Sequence, residues 1–234
     1  MPELPEVETV VKGLNHLLGL PQGKPVRVKK LEFLRKDLRK PIPIKKLREL
    51  EGQCIQVVSR RAKYILFSTD RGTLLNHLGM TGYWRQFNSR ESLRSHDHFV
   101  MHFMRGPSLV FNDTRRFGII DFIHTGKENR SPWLQHLGPE PFTQDFSGEY
   151  LWSVCRGRVA SVKAVIMDQK VVVGVGNIYA CEALFMAGIR PQTPANKLSK
   201  ERAVKLVEAI REILLRAINA GGTTIRDFRQ AGGD

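Results

Sequence analysis

The chain opens Met1-Pro2-Glu3-Leu4-Pro5-Glu6-Val7-Glu8-Thr9-Val10, which sets a nucleophile beside groups that can move protons. Once Met1 is removed, Pro2 carries a free secondary amine, and a small second residue such as proline permits that removal. An α-amine titrates near ~8, against ~10.4 for lysine, so much of it is unprotonated near neutrality. Its addition to a sugar aldehyde carbon gives a charged iminium, an electron sink. Glu3 and Glu6 are placed for proton transfer. The pattern suggests a covalent enzyme whose nucleophile is its own first residue. The same residues also read as a plain helix start, with proline near the N-terminus and acids in the first turn. With Met1 attached, the Pro2 nitrogen is an amide and no nucleophile.

Four more stretches carry chemistry. In Ser59-Arg60-Arg61-Ala62-Lys63-Tyr64, Lys63 lies on or beside a strand, where a rigid lysine can fix one backbone phosphate; a solvent-facing strand lysine is the plain alternative. In Asn76-His77-Leu78-Gly79-Met80-Thr81-Gly82, glycines bracket Met80. An apolar side chain exposed on a tight turn suits insertion into a duplex that has lost a base, and core filler is the alternative. Asn112-Asp113-Thr114-Arg115-Arg116-Phe117-Gly118 offers a planar guanidinium that can satisfy a base edge, or reads as a cationic hairpin turn. Val173-Gly174-Val175-Gly176-Asn177-Ile178-Tyr179-Ala180 is a Gly-x-Gly turn leading into a helix. Such a turn presents backbone N–H groups to phosphate, with Asn177 able to cap the helix and reach a phosphate too.

These motifs, in this order, resemble the formamidopyrimidine-DNA glycosylase family. The resemblance covers nearly the whole chain. It implies a bifunctional glycosylase and abasic-site lyase that excises oxidised purines (8-oxoguanine and formamidopyrimidines) from duplex DNA in base excision repair. By that resemblance Pro2 forms the Schiff base and β,δ-elimination follows. Glu3 is the general acid/base at the sugar, Glu6 helps hold the base or the N-terminus, and Lys63 and His77 support phosphate contacts. Met80 fills the vacated space, Arg115 bonds the orphaned cytosine and Phe117 wedges between bases. Lys163 and Asn177 belong to a helix-two-turn-helix motif, Asp168 lies in its usual acidic segment, and Glu182 fits a buried acidic residue. Gly222, Thr223 and Thr224 open the loop that closes over the flipped base. Thr114 stands where many members have proline. The resemblance also implies a downstream zinc finger. The sequence stops at Gly232-Gly233-Asp234, and Cys54, Cys155 and Cys181 cannot replace that finger. No cofactor or metal is expected in this chain, and zinc only where a finger follows in a longer native chain. Two rivals stand beside this reading: a non-catalytic DNA-binding protein of the same fold, and an endonuclease VIII-like glycosylase for oxidised pyrimidines.

The elements that must position these residues can be read from periodicity. Val7, Val10, Val11, Leu14, Leu17 and Leu18 recur at helical spacing, predicting a helix over about residues 5–18. Segments 26–34, 55–67, 73–87, 98–104 and 109–123 alternate as strands between Gly and Pro signals and suggest a β-sandwich. Beyond Gly138-Pro139-Glu140-Pro141 the pattern turns helical, over 147–156, 161–168, 177–187 and 199–220. In the last of these Ser199 is the N-cap, Val204, Val207, Ile210, Ile213, Leu214, Ala217 and Ile218 form an apolar stripe, and Gly221-Gly222 is the stop. The fold class is α+β: an N-terminal β-sandwich with an N-terminal helix over 1–135, then an all-helical helix-two-turn-helix domain over 136–234.

Composition narrows the class of partner. The 234 residues carry Lys+Arg 37 against Asp+Glu 23, a formal charge of +14, which favours a polyanion without separating DNA from RNA. Double-stranded DNA with an oxidised purine or abasic site is the partner that the family resemblance implies. No apolar run is long enough to span a bilayer, and no secretory signal is apparent. The three cysteines are far apart and form no disulfide framework. The expectation is a cytoplasmic monomer.

Overall fold

The computed structural model describes residues 1–23, 25–88 and 92–221. Among these residues the chain forms two compact units, one of Met1–Pro2 and Glu6–Ser131, the other of Glu3–Pro5 and 132–221. No helix among the described residues is long and apolar enough to cross a membrane.

The first unit contains most of helix α1 (Leu4–Leu17) and nine strands. Its apolar stripe of Val7, Val10, Val11 and Leu14 is buried as the spacing requires, and Gly19, at φ 66°, turns the chain away after the helix. The strands are β1 (Val26–Phe33), β2 (Cys54–Ile55), β3 (Val57–Arg61), β4 (Tyr64–Ser68), β5 (Gly72–His77), β6 (Tyr83–Phe87), β7 (Asp97–Phe103), β8 (Ser108–Asn112) and β9 (Ile119–His124). They form a sheet in the order β2-β1-β7-β8-β6 and another in the order β3-β4-β5-β9. Inner residues of both sheets, among them Phe67, Leu74, Trp84, Phe99 and Phe111, share one core with α1. Each fully buried side chain of this kind contributes about 1.5–3 kcal/mol from removal of apolar surface from water.

Three predicted strands are broken by turns. Residues 55–67 become parts of β2, β3 and β4, because Arg61 pairs with Tyr64 and leaves Ala62 and Lys63 as the hairpin loop. Ala62 adopts φ 54°, an unusual conformation for a residue with a Cβ, so the sequence carries no glycine signal there. The other two breaks define the site. Residues 73–87 divide into β5 and β6, which belong to different sheets, and residues 109–123 divide into β8 and β9, which also belong to different sheets. The loops 78–82 and 113–118 are therefore both crossovers between sheets. They lie side by side because β5 pairs with β9 (His77 opposite Ile119) while β6 pairs with β8 (Tyr83 opposite Asn112).

The second unit is helical: α3 (Gly148–Cys155), α4 (Val162–Met167), α5 (Asn177–Met186) and α6 (Lys200–Asn219); α2 (Ile44–Leu47) is a single turn in the first unit. Ser147, Ser161 and Ser199 cap α3, α4 and α6, each accepting the N–H three residues on. The predicted stripe of α6 holds at Val207, Ile210 and Leu214, which are buried, whereas Val204 is 41% exposed. Gly221 follows the helix at φ 82°.

Candidate functional site

Glu3 belongs to the helical unit and is 3% exposed. Its carboxylate accepts the Gly176 N–H at 2.7 Å and the Ile178 N–H at 3.0 Å. These N–H groups sit at the positive end of α5, where a negative charge is favoured and orphan donors need partners. The sequence expectation that this turn offers its N–H groups to phosphate is therefore corrected for these two: the chain's own carboxylate takes them. The capping reading of Asn177 is corrected as well, and its phosphate contact is not touched by this. Gly176 is the N-cap, and Asn177 is the exposed first residue of the helix, with no side-chain cap bond. Both glycines of the turn are required by close approach. A Cβ on Gly176 would stand 2.3 Å from the Glu3 carboxyl carbon, and one on Gly174 would stand 2.5 Å from Leu4 Cδ1. The Leu4 N–H also donates to the Gly174 carbonyl at 3.1 Å.

The turn has a support that the sequence did not advertise. The Gln169 side chain accepts the Gly174 N–H at 2.9 Å and donates to the Val175 carbonyl at 3.1 Å. Nearby, Lys163 is half-buried on α4, Asp168 pairs with Arg158 at 3.6 Å, and Glu182 is exposed on α5 rather than buried.

In the first unit, Pro2 is half-buried and Glu6 is 7% exposed. Two residues after Glu6, Glu8 accepts from Arg60 Nε at 2.8 Å, and Arg60 Nη1 donates to the Ala62 carbonyl at 2.9 Å. One arginine thus ties α1 to the loop that carries Lys63. That lysine is 6% exposed, so it is not a solvent-facing strand residue. Asn15 adds a second tie between α1 and this sheet, donating to the Val58 carbonyl at 2.7 Å.

His77 follows directly on that ladder. Its ring lies 5.0 Å from that of Tyr64, centroid to centroid. Burial, then the charges of Lys63 and Arg39, lower its pKa to about 4, so it is neutral at physiological pH. Nδ1 accepts the Gly79 N–H at 3.0 Å, which leaves the proton on Nε2. His77 is therefore an uncharged N–H donor, a property no spacing rule could supply.

The crossover loops are joined by Asp113, which is fully buried. Its carboxylate accepts the Thr81 hydroxyl at 2.6 Å and the Gly118 N–H at 2.7 Å, while Thr81 Oγ1 accepts the Arg115 N–H at 3.0 Å. A Cβ on Gly79 would meet the Phe117 carbonyl carbon at 2.5 Å, so the loops touch backbone to backbone. Met80, at 38%, and Phe117, at 44%, are left exposed above this clamp. The Arg115 guanidinium rests 4.8 Å from the Phe117 ring centroid. Met80, Arg115 and Phe117 are thus brought together on one rigid base.

Sequence reasoning missed Gln169, Arg60, Thr81, Asp113 and Arg39. Arg60, Thr81 and Asp113 act through bonds to residues distant in sequence, Arg39 through its charge at His77, and Gln169 through a glycine turn just downstream that gives no sign of side-chain support. The position of Thr81 and Asp113 inside recognised motifs was a usable hint. Gly222, Thr223 and Thr224 lie outside the described residues. The three cysteines sit on β2, α3 and α5, and among the described residues no group of three or more His, Cys, Asp or Glu is placed to hold a metal ion.

Comparison with known proteins gives consistent matches. Residues 1–120 match the formamidopyrimidine-DNA glycosylase N-terminal domain, and residues 137–229 match the H2TH domain of the same glycosylase. A formamidopyrimidine-DNA glycosylase from Bdellovibrio bacteriovorus is 50% identical over 234 residues, covering 100% of this chain and 84% of that protein. One from Stenotrophomonas maltophilia is 50% identical over 228 residues, covering 97% and 82%. Among solved structures, the Lactococcus lactis enzyme with abasic-site DNA superposes with a TM-score of 0.86 at 32% identity, covering 96% of this chain and 81% of that one. MutM with carbocyclic 8-oxo-G DNA gives a TM-score of 0.87 at 32% identity, covering 100% and 85%.

Proposed function

The chain belongs to the formamidopyrimidine-DNA glycosylase family, and from that premise we propose that it excises oxidised purines from duplex DNA and cleaves the abasic site through its N-terminal proline. The observation that carries the mechanism is the carboxylate of Glu3, the residue next to the nucleophile, held by Gly176 and Ile178 N–H groups at the start of α5. With Met1 removed, the Pro2 nitrogen attacks C1′ of the extruded nucleotide, and the bonding pair of the glycosidic bond leaves with the base. Glu3 moves the proton at the sugar ring oxygen as the ring opens, giving the iminium. That cation acidifies the C2′ protons. Loss of one expels the 3′ phosphate, and a second elimination expels the 5′ phosphate.

Lys63 and the neutral Nε2–H of His77 supply phosphate contacts. Met80 and Phe117 occupy the space left by extrusion, and Arg115 meets the widowed base. Lys163 and Asn177 add backbone contacts from the helical unit. The partner is damaged double-stranded DNA, the protein acts as a monomer, and the reaction takes place in the bacterial cytoplasm.

The test combines intact mass with borohydride trapping. Loss of the Met1 mass, and a covalent adduct on abasic DNA that Pro2→Gly weakens, support the reading. A homogeneous Met1-retaining species that excises 8-oxoguanine would overturn the role of Pro2. Faster release of thymine glycol than of 8-oxoguanine would overturn the purine assignment.

A further inference from the structure

Glu3 is placed by a loop, and a loop carrying two glycines does not hold its own shape. Besides the Leu4 N–H on the Gly174 carbonyl and the Val173 N–H on the Pro139 carbonyl, the Gln169 side chain bonds it. The Gln169 Oε1 accepts the Gly174 N–H at 2.9 Å, and its Nε2 donates to the Val175 carbonyl at 3.1 Å and to the Met167 carbonyl at 3.3 Å. The Val175 carbonyl and the Gly176 N–H are the two ends of one peptide group. That peptide therefore receives a hydrogen bond from Gln169 on one side and gives one to Glu3 Oε2, at 2.7 Å, on the other. A donor on an amide oxygen polarises the amide and strengthens its N–H as a donor, so the two bonds reinforce each other.

The backbone of Gln169 is fixed in turn. Its carbonyl accepts the Gly138 N–H at 2.8 Å, while the preceding Asp168 accepts the Lys170 N–H through its side chain at 3.0 Å and the Val171 N–H through its carbonyl at 2.8 Å. The side chain thus leaves an anchored turn and crosses to the glycine loop.

We propose that Gln169 is a positioning residue for Glu3: it holds the 174–176 peptides at the distance from which Gly176 and Ile178 donate to the Glu3 carboxylate. This rests on the assignment of Glu3 as the group that moves protons at the sugar ring. Gln169 itself does not touch the reacting atoms.

Two variants of the full chain separate the parts. Gln169→Met keeps the length and loses both polar ends. Gln169→Glu keeps an acceptor for the Gly174 N–H and loses the donor to Val175. Amide hydrogen exchange at Gly176 and Ile178, followed by NMR, reads the geometry without requiring catalysis. In both variants exchange at these amides accelerates while the rest of α5 keeps its protection, and kcat for 8-oxoguanine excision falls by about tenfold, the worth of a lost hydrogen bond, with KM unchanged. Unchanged exchange at Gly176 and Ile178 in Gln169→Met overturns the proposal, as does a loss of protection spread evenly through α4 and α5. If Glu3→Gln excises at the wild-type rate while the exchange result holds, the assignment of Glu3 falls and the positioning by Gln169 stands.

Discussion

Glu3 occupies the space that a side chain at residue 176 would need: a Cβ on Gly176 would lie 2.3 Å from its carboxyl carbon and 2.5 Å from its Oε1. The glycine is there for a carboxylate 173 residues away in sequence. The neighbouring glycine, Gly174, makes room in the same way for Leu4.

Gly176→Ala must therefore push Glu3 out of its place. A displacement of about an ångström at a reacting group can cost on the order of 100-fold in rate. Single-turnover excision of 8-oxoguanine by this variant is expected to drop by about that factor. A variant that kept the wild-type rate would show that Glu3 does not act from the observed position.

The clamp between the crossover loops gives a second expectation. Thr81→Val removes a hydroxyl that donates to Asp113 and accepts from Arg115, and it leaves the buried carboxylate with one partner fewer. Unfolding free energy in urea falls by about 1–3 kcal/mol, and DNA affinity falls with it because Met80 and Phe117 lose their common base. Thr81→Ser restores both. Equal stability of Thr81→Val and Thr81→Ser would mean that the hydroxyl does not hold the loops.

The third concerns pH. His77 has a folded pKa of about 4, below the ordinary 6.5, because burial and the charges of Lys63 and Arg39 oppose its protonation. Between those values the unfolded chain binds the proton and the folded chain does not. The His77 contribution to stability is thus complete above pH 6.5 and is lost as pH falls toward 4, with a slope of at most ~1.4 kcal/mol per pH unit. Urea titrations from pH 4 to pH 6.5 should show a shallower dependence for His77→Gln than for the parent, and parallel curves would refute a neutral buried imidazole.

Arg60 carries the fourth. Its side chain is 10% exposed and joins Glu8 on α1 to the Ala62 carbonyl. Arg60→Met keeps much of the apolar stem and loses both links, which costs about 1–3 kcal/mol in this partly buried setting. The loop holding Lys63 loosens as well, so the affinity for an abasic duplex declines and its salt dependence becomes less steep. Thermal unfolding and a salt titration of binding check the two effects, and an unchanged salt slope would show that Lys63 keeps its place without Arg60.

Much of the molecule was legible in the chain. The stripe Val7, Val10, Val11 and Leu14 fixed the first helix to within a residue at each end, and Ser147, Ser161 and Ser199 marked helix starts, because helical periodicity and capping are local physics. The motifs around Pro2, Met80 and Arg115 were visible as residue types at set spacings. That the turns between β5 and β6 and between β8 and β9 pass from one sheet to the other was not, since a turn signal reads the same in a hairpin and in a crossover and only sheet pairing reveals that the strands belong to different layers.

The sequence by itself thus determined the chemistry on offer: an amine at Pro2, carboxylates at Glu3 and Glu6, an apolar wedge and a guanidinium. Only the tertiary structure decided how Glu3 and His77 are used. It gave the Gly176 and Ile178 N–H groups to Glu3 instead of leaving them to phosphate, and it made His77 a neutral donor by burying it beside two cations. Both outcomes depend on hydrogen bonds and electric fields between residues far apart in the chain, which no local pattern encodes.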